Sequence, residues 1–184
     1  ISLGLVGSEM CIRDSFVDYP PVIHPVDIYA APAAARVVRK DYDYAFEEEK
    51  YRGAPDIRLH EIDVARPLEI AGERIVPVSG HHSERFEVTG YRIGRMAYLT
   101  DFKTIADAEV GKLIGVELLV VNALRFRPHP SHFNVGEALA LIARVAPRRA
   151  LITHVSHEIG RHAATTALLP RGVELAYDGL EIII

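Results

Sequence analysis

The chain has 184 residues, 49% hydrophobic and 25% charged, which is long enough and apolar enough for one folded domain with its own core. A formal net charge of −4 with no basic run gives no electrostatic reason for general nucleic-acid or acidic-membrane binding. No apolar stretch approaches the ~20 residues of a membrane-spanning helix, and the single cysteine, Cys11, excludes an intrachain disulfide and fits a reducing, cytoplasmic setting.

Ile1 to Ser15 (ISLGLVGSEMCIRDS) resembles a translated sequencing-adapter read-through and is read as a non-native leader. It has no basic n-region, so it does not fit a signal peptide. The alternative is a genuine strand and turn. Residues 16–184 are read as one domain without internal repeats. Phe16 to Pro25 is a proline-rich loop, Val26 to Ala30 a strand, and Pro32 opens a helix running to about Phe46. Glu47 to Pro55 is a loop.

Strand candidates follow at Ile57–Ile62, Leu68–Ile70, Arg74–Val78, Phe86–Ile93 and Met96–Thr100, with Gly72 and Gly94-Arg95 as turns. The second half alternates. Thr104–Leu113, Asn134–Val145 and Ile159–Leu169 read as helices. Glu117–Asn122, Arg149–Thr153, Val173–Tyr177 and Leu180–Ile184 read as strands, the last two joined by Asp178-Gly179. That alternation predicts a layered α/β fold.

Of nine histidines, seven lie between His81 and His162. Three polar groups sit at or just past apolar strands: His81 after RIVPVSG, Asp101 after MAYLT and His154 after RALIT. Strand ends are where α/β folds assemble sites, and imidazole with carboxylate is a donor set for first-row divalent ions. Each also has a plainer reading. Asp101 can be a helix N-cap, His81-His82 a solvated loop, and His154 a hydrogen-bonding group at the head of the next helix. His129 and His132, in the stiff RPHPSHF segment between a buried strand and a helix, can reach the same strand ends and donate a proton, or be plain capping or solvated loop histidines.

The runs GYRIGRMAYLTD, LLVVNALRFRPHPSHF, LITHVSHEIGRH and ELAYDGLEI together resemble the metallo-β-lactamase superfamily, nearest to its PhnP-type phosphodiesterases. The resemblance covers roughly Pro25 to Ile184 and is strongest from Ile75 onward. It implies an αββα sandwich, here a partial one, with two divalent ions (zinc or manganese) at one edge. His81 is then the expected metal ligand, with His82 in reserve. Asp101 is the ligand bridging both ions, His154 the last ligand, His132 the proton donor, and His157 a group orienting a ligand. The implied reaction is hydrolysis of a small-molecule phosphodiester, such as a phosphoribosyl cyclic phosphate, by a metal-activated water.

The family's HxHxDH motif is absent from the 184 residues, and the isolated His24 cannot replace it. The metal site is therefore expected to be incomplete, the chain to be the C-terminal part of its domain, and its activity to be weak or absent. Other readings are a related tRNA-processing nuclease, disfavoured by the acidic charge, a lactonase or thioesterase of the same fold, and a non-catalytic, metal-poor module. Homodimerisation is left open.

Overall fold

The computed structural model describes residues 26–47, 49 and 54–183. The leader-like Ile1–Ser15, the loop to Pro25 and His24 lie outside the described residues. Two compact units divide the chain, Ile1–Asp63 and Val64–Ile184.

In the first unit, β1 (Val26–Ala30) and β2 (Ile57–Glu61) pair in parallel, from Val26↔Ile57 to Ala30↔Glu61. Helix α1 (Pro32–Asp41) lies between them in sequence. Pro32 starts it where a missing N–H costs nothing, Ala35 and Val38 are buried one turn apart, and Arg39 and Lys40 face the negative helix end. It stops five residues short of the expected Phe46. Tyr42 leaves the helical region at φ −121°, and Asp43 Oδ1 accepts the Tyr44 N–H at 2.7 Å within a 3-10 turn, Asp43–Ala45. A short polar side chain there competes for backbone groups the helix would need.

The second unit holds a seven-stranded sheet in the order β3-β4-β5-β6-β7-β8-β9. Strands β3 (Leu68–Ile70), β4 (Glu73–Ser83), β5 (Phe86–Ile93) and β6 (Met96–Leu99) run antiparallel to their neighbours. From β6 onward the pairing with β7 (Leu118–Asn122), β8 (Arg149–Thr153) and β9 (Val173–Leu175) is parallel. Ala71-Gly72, both with positive φ, close the β3–β4 hairpin, and Gly94 at φ +54° opens the two-residue turn between β5 and β6.

Alternation along the parallel strands sorts the core. Ala97, Leu99, Leu119, Val121, Ala150, Ile152, Val173 and Leu175 face one side. There they pack with Val110 of α2 (Asp107–Gly111), with Val135, Ala138, Leu141, Ile142 and Val145 of α3 (Val135–Val145), and with Ile159. On the other side Leu118, Val120 and Leu151 form a smaller cluster with Met96, Tyr98, Ala176, Leu180 and Ile182. This arrangement is a mixed α/β fold built on one large sheet, as the alternation of elements implies.

Several boundaries differ from the sequence expectation, each for a local reason. Strand β4 continues five residues past Val78, so His81 and His82 lie within it and not after it. Helix α2 starts at Asp107 because Thr104 is committed to a bridge with His81. The expected helix Ile159–Leu169 is broken by Gly160 at φ +96° into a 3-10 turn, His157–Ile159, and α4 (His162–Thr166). Leu180 to Ile183 is not a strand. Gly179 at φ +84° turns the chain, the Leu180 N–H donates to Tyr177 O at 3.1 Å, and Leu180 and Ile182 cover the second face.

Candidate metal centre

Four side chains from four places in the sequence meet at one end of the large sheet. His82 is near the end of β4, Asp101 is two residues past β6, His132 is in the connection between β7 and α3, and His154 directly follows β8. Asp101 and His154 both hold left-handed backbone, at φ +63° and +54°. Asp and His tolerate this region better than most residues, but it still costs on the order of 1–3 kcal/mol each. Both turns leave a parallel strand at the same sheet edge and bring their side chains to one point.

Three donor atoms form a nearly equilateral triangle. Asp101 Oδ1 is 3.2 Å from His132 Nε2 and 3.2 Å from His154 Nε2, and the two imidazole nitrogens are 3.1 Å apart. His82 completes the group. Its Nδ1 is 3.1 Å from the Asp101 carbonyl oxygen, its ring meets that of His132 edge-on at 4.5 Å, and its ligand atom lies within 4.8 Å of those of Asp101 and His132. Behind His132, its Nδ1 lies 3.2 Å from both Ser131 Oγ and His129 Nδ1.

The sequence reading ranks His81 ahead of His82 as the ligand; the structure brings the His82 ring, and not that of His81, to Asp101 and His132. Side chains alternate along a strand. Val78 and Gly80 face the core; at His82 the pairing with β5 is broken by a β-bulge between His81 and Ser83, which turns the His82 ring to the site and leaves the His81 side chain exposed. His81 contributes through its backbone instead. Its N–H donates to Thr104 O at 3.0 Å, and its carbonyl accepts from the Lys103 and Thr104 N–H groups at 2.7 and 3.1 Å, tying the loop after Asp101 to β4. His157 starts the 3-10 turn after β8 and is exposed; among the described residues, none of the cluster's hydrogen bonds runs through it.

The loop carrying His132 is held at both ends. Asn134 and Glu137 form a reciprocal capping box at the start of α3, with bonds of 2.9 and 2.8 Å. Glu137 also accepts from Lys103 Nζ at 2.7 Å. Arg125 pairs with Glu158 and donates to Pro128 O at 3.2 Å, which ties down the RPHP stretch. Burial lowers the pKa of His132, and the neighbouring His82 and His154 lower it further against the opposing pull of Asp101. Burial, with Arg125 and Lys103 nearby, also lowers that of His129. Both rings are thus biased toward the neutral form, which has a free nitrogen lone pair.

This donor set fits a divalent cation. Three nitrogens and a carboxylate are first-row metal ligands, and a tetrahedral site with arms of about 2.0–2.1 Å has edges of about 3.3–3.4 Å. The triangle's sides of 3.1–3.2 Å are close to that.

The profile of the beta-lactamase superfamily domain matches residues 15–155 of the chain. The chain belongs to this superfamily. A crystal structure described as a new diphosphatase from the PhnP family is similar at 32% identity and TM-score 0.78, over 88% of this chain and 59% of that one. A protein of Porphyromonas gingivalis named octanoyltransferase is 34% identical over 158 residues, 85% of this chain but 32% of that protein. The chain thus spans about a third of the curated relative it matches and under two thirds of the diphosphatase. More distant members share the fold alone. They include YhfI of Bacillus subtilis (17% identity, TM-score 0.63, 86% of this chain and 65% of that one) and the short form of human tRNase Z (14%, 0.60, 85% and 66%). Among the described residues, no helix is long and apolar enough to cross a membrane.

Proposed function

We propose that this chain carries part of the active site of a metal-dependent hydrolase acting on a small-molecule phosphodiester or diphosphate, in the cytoplasm. The observation that carries the proposal is the convergence of Asp101 and His154, each on a left-handed backbone turn, with His132 and His82 in contact with Asp101. The similarity to the PhnP-family diphosphatase supports phosphate chemistry in preference to other reactions of the fold.

In this reading His82, Asp101 and His154 hold the cation, zinc or manganese. When bound, it supplies positive charge that polarises a phosphoryl oxygen and acidifies water. Asp101 contributes the one negative charge of the set. His132 is not needed as a ligand. Its Nε2 faces the same point, and its Nδ1 touches Ser131 and His129, which hold the ring in place, so a proton held at Nε2 can pass to the departing alkoxide oxygen. The lowered pKa of His132 makes its protonated ring a better proton donor than an ordinary imidazolium and returns it readily to the neutral form.

Three ligands serve one cation rather than two, and the 184 residues contain no HxHxDH. Hydrolysis by this chain alone is therefore expected to be weak. The test pairs zinc and manganese titration by calorimetry with hydrolysis of bis-p-nitrophenyl phosphate. The expected result is tight binding of one ion and slow turnover that a chelator abolishes. Absence of binding by either ion would overturn the proposal. Turnover unaffected by a chelator would overturn its mechanism.

A further inference from the structure

Asn122 is completely buried at the end of β7, a strand whose other four residues are apolar, and the proposed mechanism gives it no task. Its amide is spent on one residue. Oδ1 accepts the Phe102 N–H at 2.8 Å, and Nδ2 donates to the Phe102 carbonyl at 3.0 Å. The parallel ladder between β6 and β7 ends at Leu99↔Val121. Beyond it Asp101 turns to φ +63°, and the backbone can no longer pair. The Asn122 side chain takes over, gripping Phe102 as a neighbouring strand would.

The grip extends to every member of the cluster. The Phe102 carbonyl also accepts the N–H of Phe133, the residue after His132, at 2.8 Å, and Phe133 returns its own carbonyl to the Leu124 N–H at 2.9 Å. The Ala123 N–H donates to the carbonyl of Thr153, the residue before His154, at 3.1 Å. The Phe102 ring packs on Gly80, two residues before His82, so closely that a Cβ there would lie 2.2 Å from Phe102 Cε1. Residues 122–124 and Phe102 thus bond to or pack on a close sequence neighbour of each of Asp101, His132, His154 and His82.

We propose that Asn122 is the positioning residue of the centre, clamping the Phe102 peptide so that the left-handed Asp101 and the His132 loop keep their register. Only an amide does this. A carboxylate of the same size has no donor for the Phe102 carbonyl, and an aliphatic side chain has neither group. The proposal rests on the cation-binding reading for its consequence, but the clamp itself is read without metal.

The experiment compares Asn122→Ala with Val121→Ala, which removes an equally buried side chain from the same strand without removing a hydrogen bond to Phe102. In the metal-free protein, amide hydrogen exchange at Phe102 and Phe133 is expected to accelerate at least tenfold relative to Leu119 and Ile152 in Asn122→Ala only. In the Co2+-loaded protein, Asn122→Ala is expected to weaken binding at least tenfold and alter the visible absorption bands, with Val121→Ala within threefold of wild type. Acceleration spread evenly over β7 and β8, or equal losses in both variants, would overturn the clamp. A wild-type chain that binds no Co2+ defeats only the cation reading, and the exchange data still decide this one. If Asn122→Ala does not fold, Asn122→Ser, whose hydroxyl cannot span both Phe102 groups, is read in the same way.

Discussion

Asp101 Oδ1 and His132 Nε2 lie 3.2 Å apart, although 31 positions separate them in the chain. That contact joins the loop after β6 to the loop after β7, and His154 Nε2 sits 3.2 and 3.1 Å from the same two atoms. The triangle gives the candidate centre its chemistry, and it separates two roles that substitutions can distinguish.

His132→Gln should leave zinc affinity within about threefold and lower the hydrolysis rate about 100-fold, the usual weight of a general acid. Asp101→Asn and His154→Gln should instead lose affinity by at least 100-fold. Calorimetry and steady-state rates on the three variants check this. A loss of affinity in His132→Gln equal to that in His154→Gln would make His132 a ligand.

His82 and His81 are expected to behave oppositely. His82→Ala should weaken cation binding at least tenfold, since its ring faces Asp101 and His132. His81→Ala should change it less than twofold, because the contribution of His81 runs through its backbone. Equal effects in a side-by-side titration would refute the assignment of the His82 side chain to the site.

Acid should destabilise the metal-free fold. His132 and His129 both have pKa values lowered by burial and by nearby positive groups. Below the ordinary histidine value of about 6.5 the unfolded chain therefore binds more protons than the folded one, and stability falls as pH drops toward the lowered values. Well above about pH 6.5 both states are neutral at these rings and their contribution is flat. Urea midpoints measured from pH 5 to 8 in chelator should decline on the acid side, and less steeply in His132→Gln. A midpoint that rises on acidification would contradict the burial account.

Ala146→Gly should stabilise the protein. Ala146 caps α3 in left-handed backbone at φ +50°, where an L side chain is strained by about 1–2 kcal/mol and glycine is not. After the larger unfolded-state entropy of glycine, the net gain should be about 0.5–1 kcal/mol, or roughly 1–4 °C in melting temperature. Calorimetry that showed a lower melting temperature would count against the cap geometry.

Strands with strong alternation or an unbroken apolar run were legible in the sequence. β6, β7 and β8 fall where MAYLT, ELLVVN and RALIT place them, and with them the positions of Asp101 and His154 at strand ends. What was missed depended on tertiary partners. The turn of His82 to the site depends on the β-bulge between His81 and Ser83, where β4 runs on past Val78, and a bulge against β5 leaves no period-two signal in the sequence. Thr104 looks helical until its bridge to His81 is known. The apolar run Leu180–Ile184 looks like a strand, yet Leu180 and Ile182 find burial on the sheet face without pairing. Asn122 ends an apolar run and shows no sign in the sequence that its amide will hold Phe102. Ser131, between two named histidines, gave no signal either.

The most direct test of the centre is a Co2+ titration of the metal-stripped wild-type chain beside Asp101→Asn, followed by visible absorption. The account predicts one equivalent bound by wild type, with intense bands of a four-coordinate ion held by nitrogen and oxygen donors, and no such bands in Asp101→Asn at the same concentrations. Wild-type and variant spectra that are the same, or both those of the hydrated ion, would contradict it.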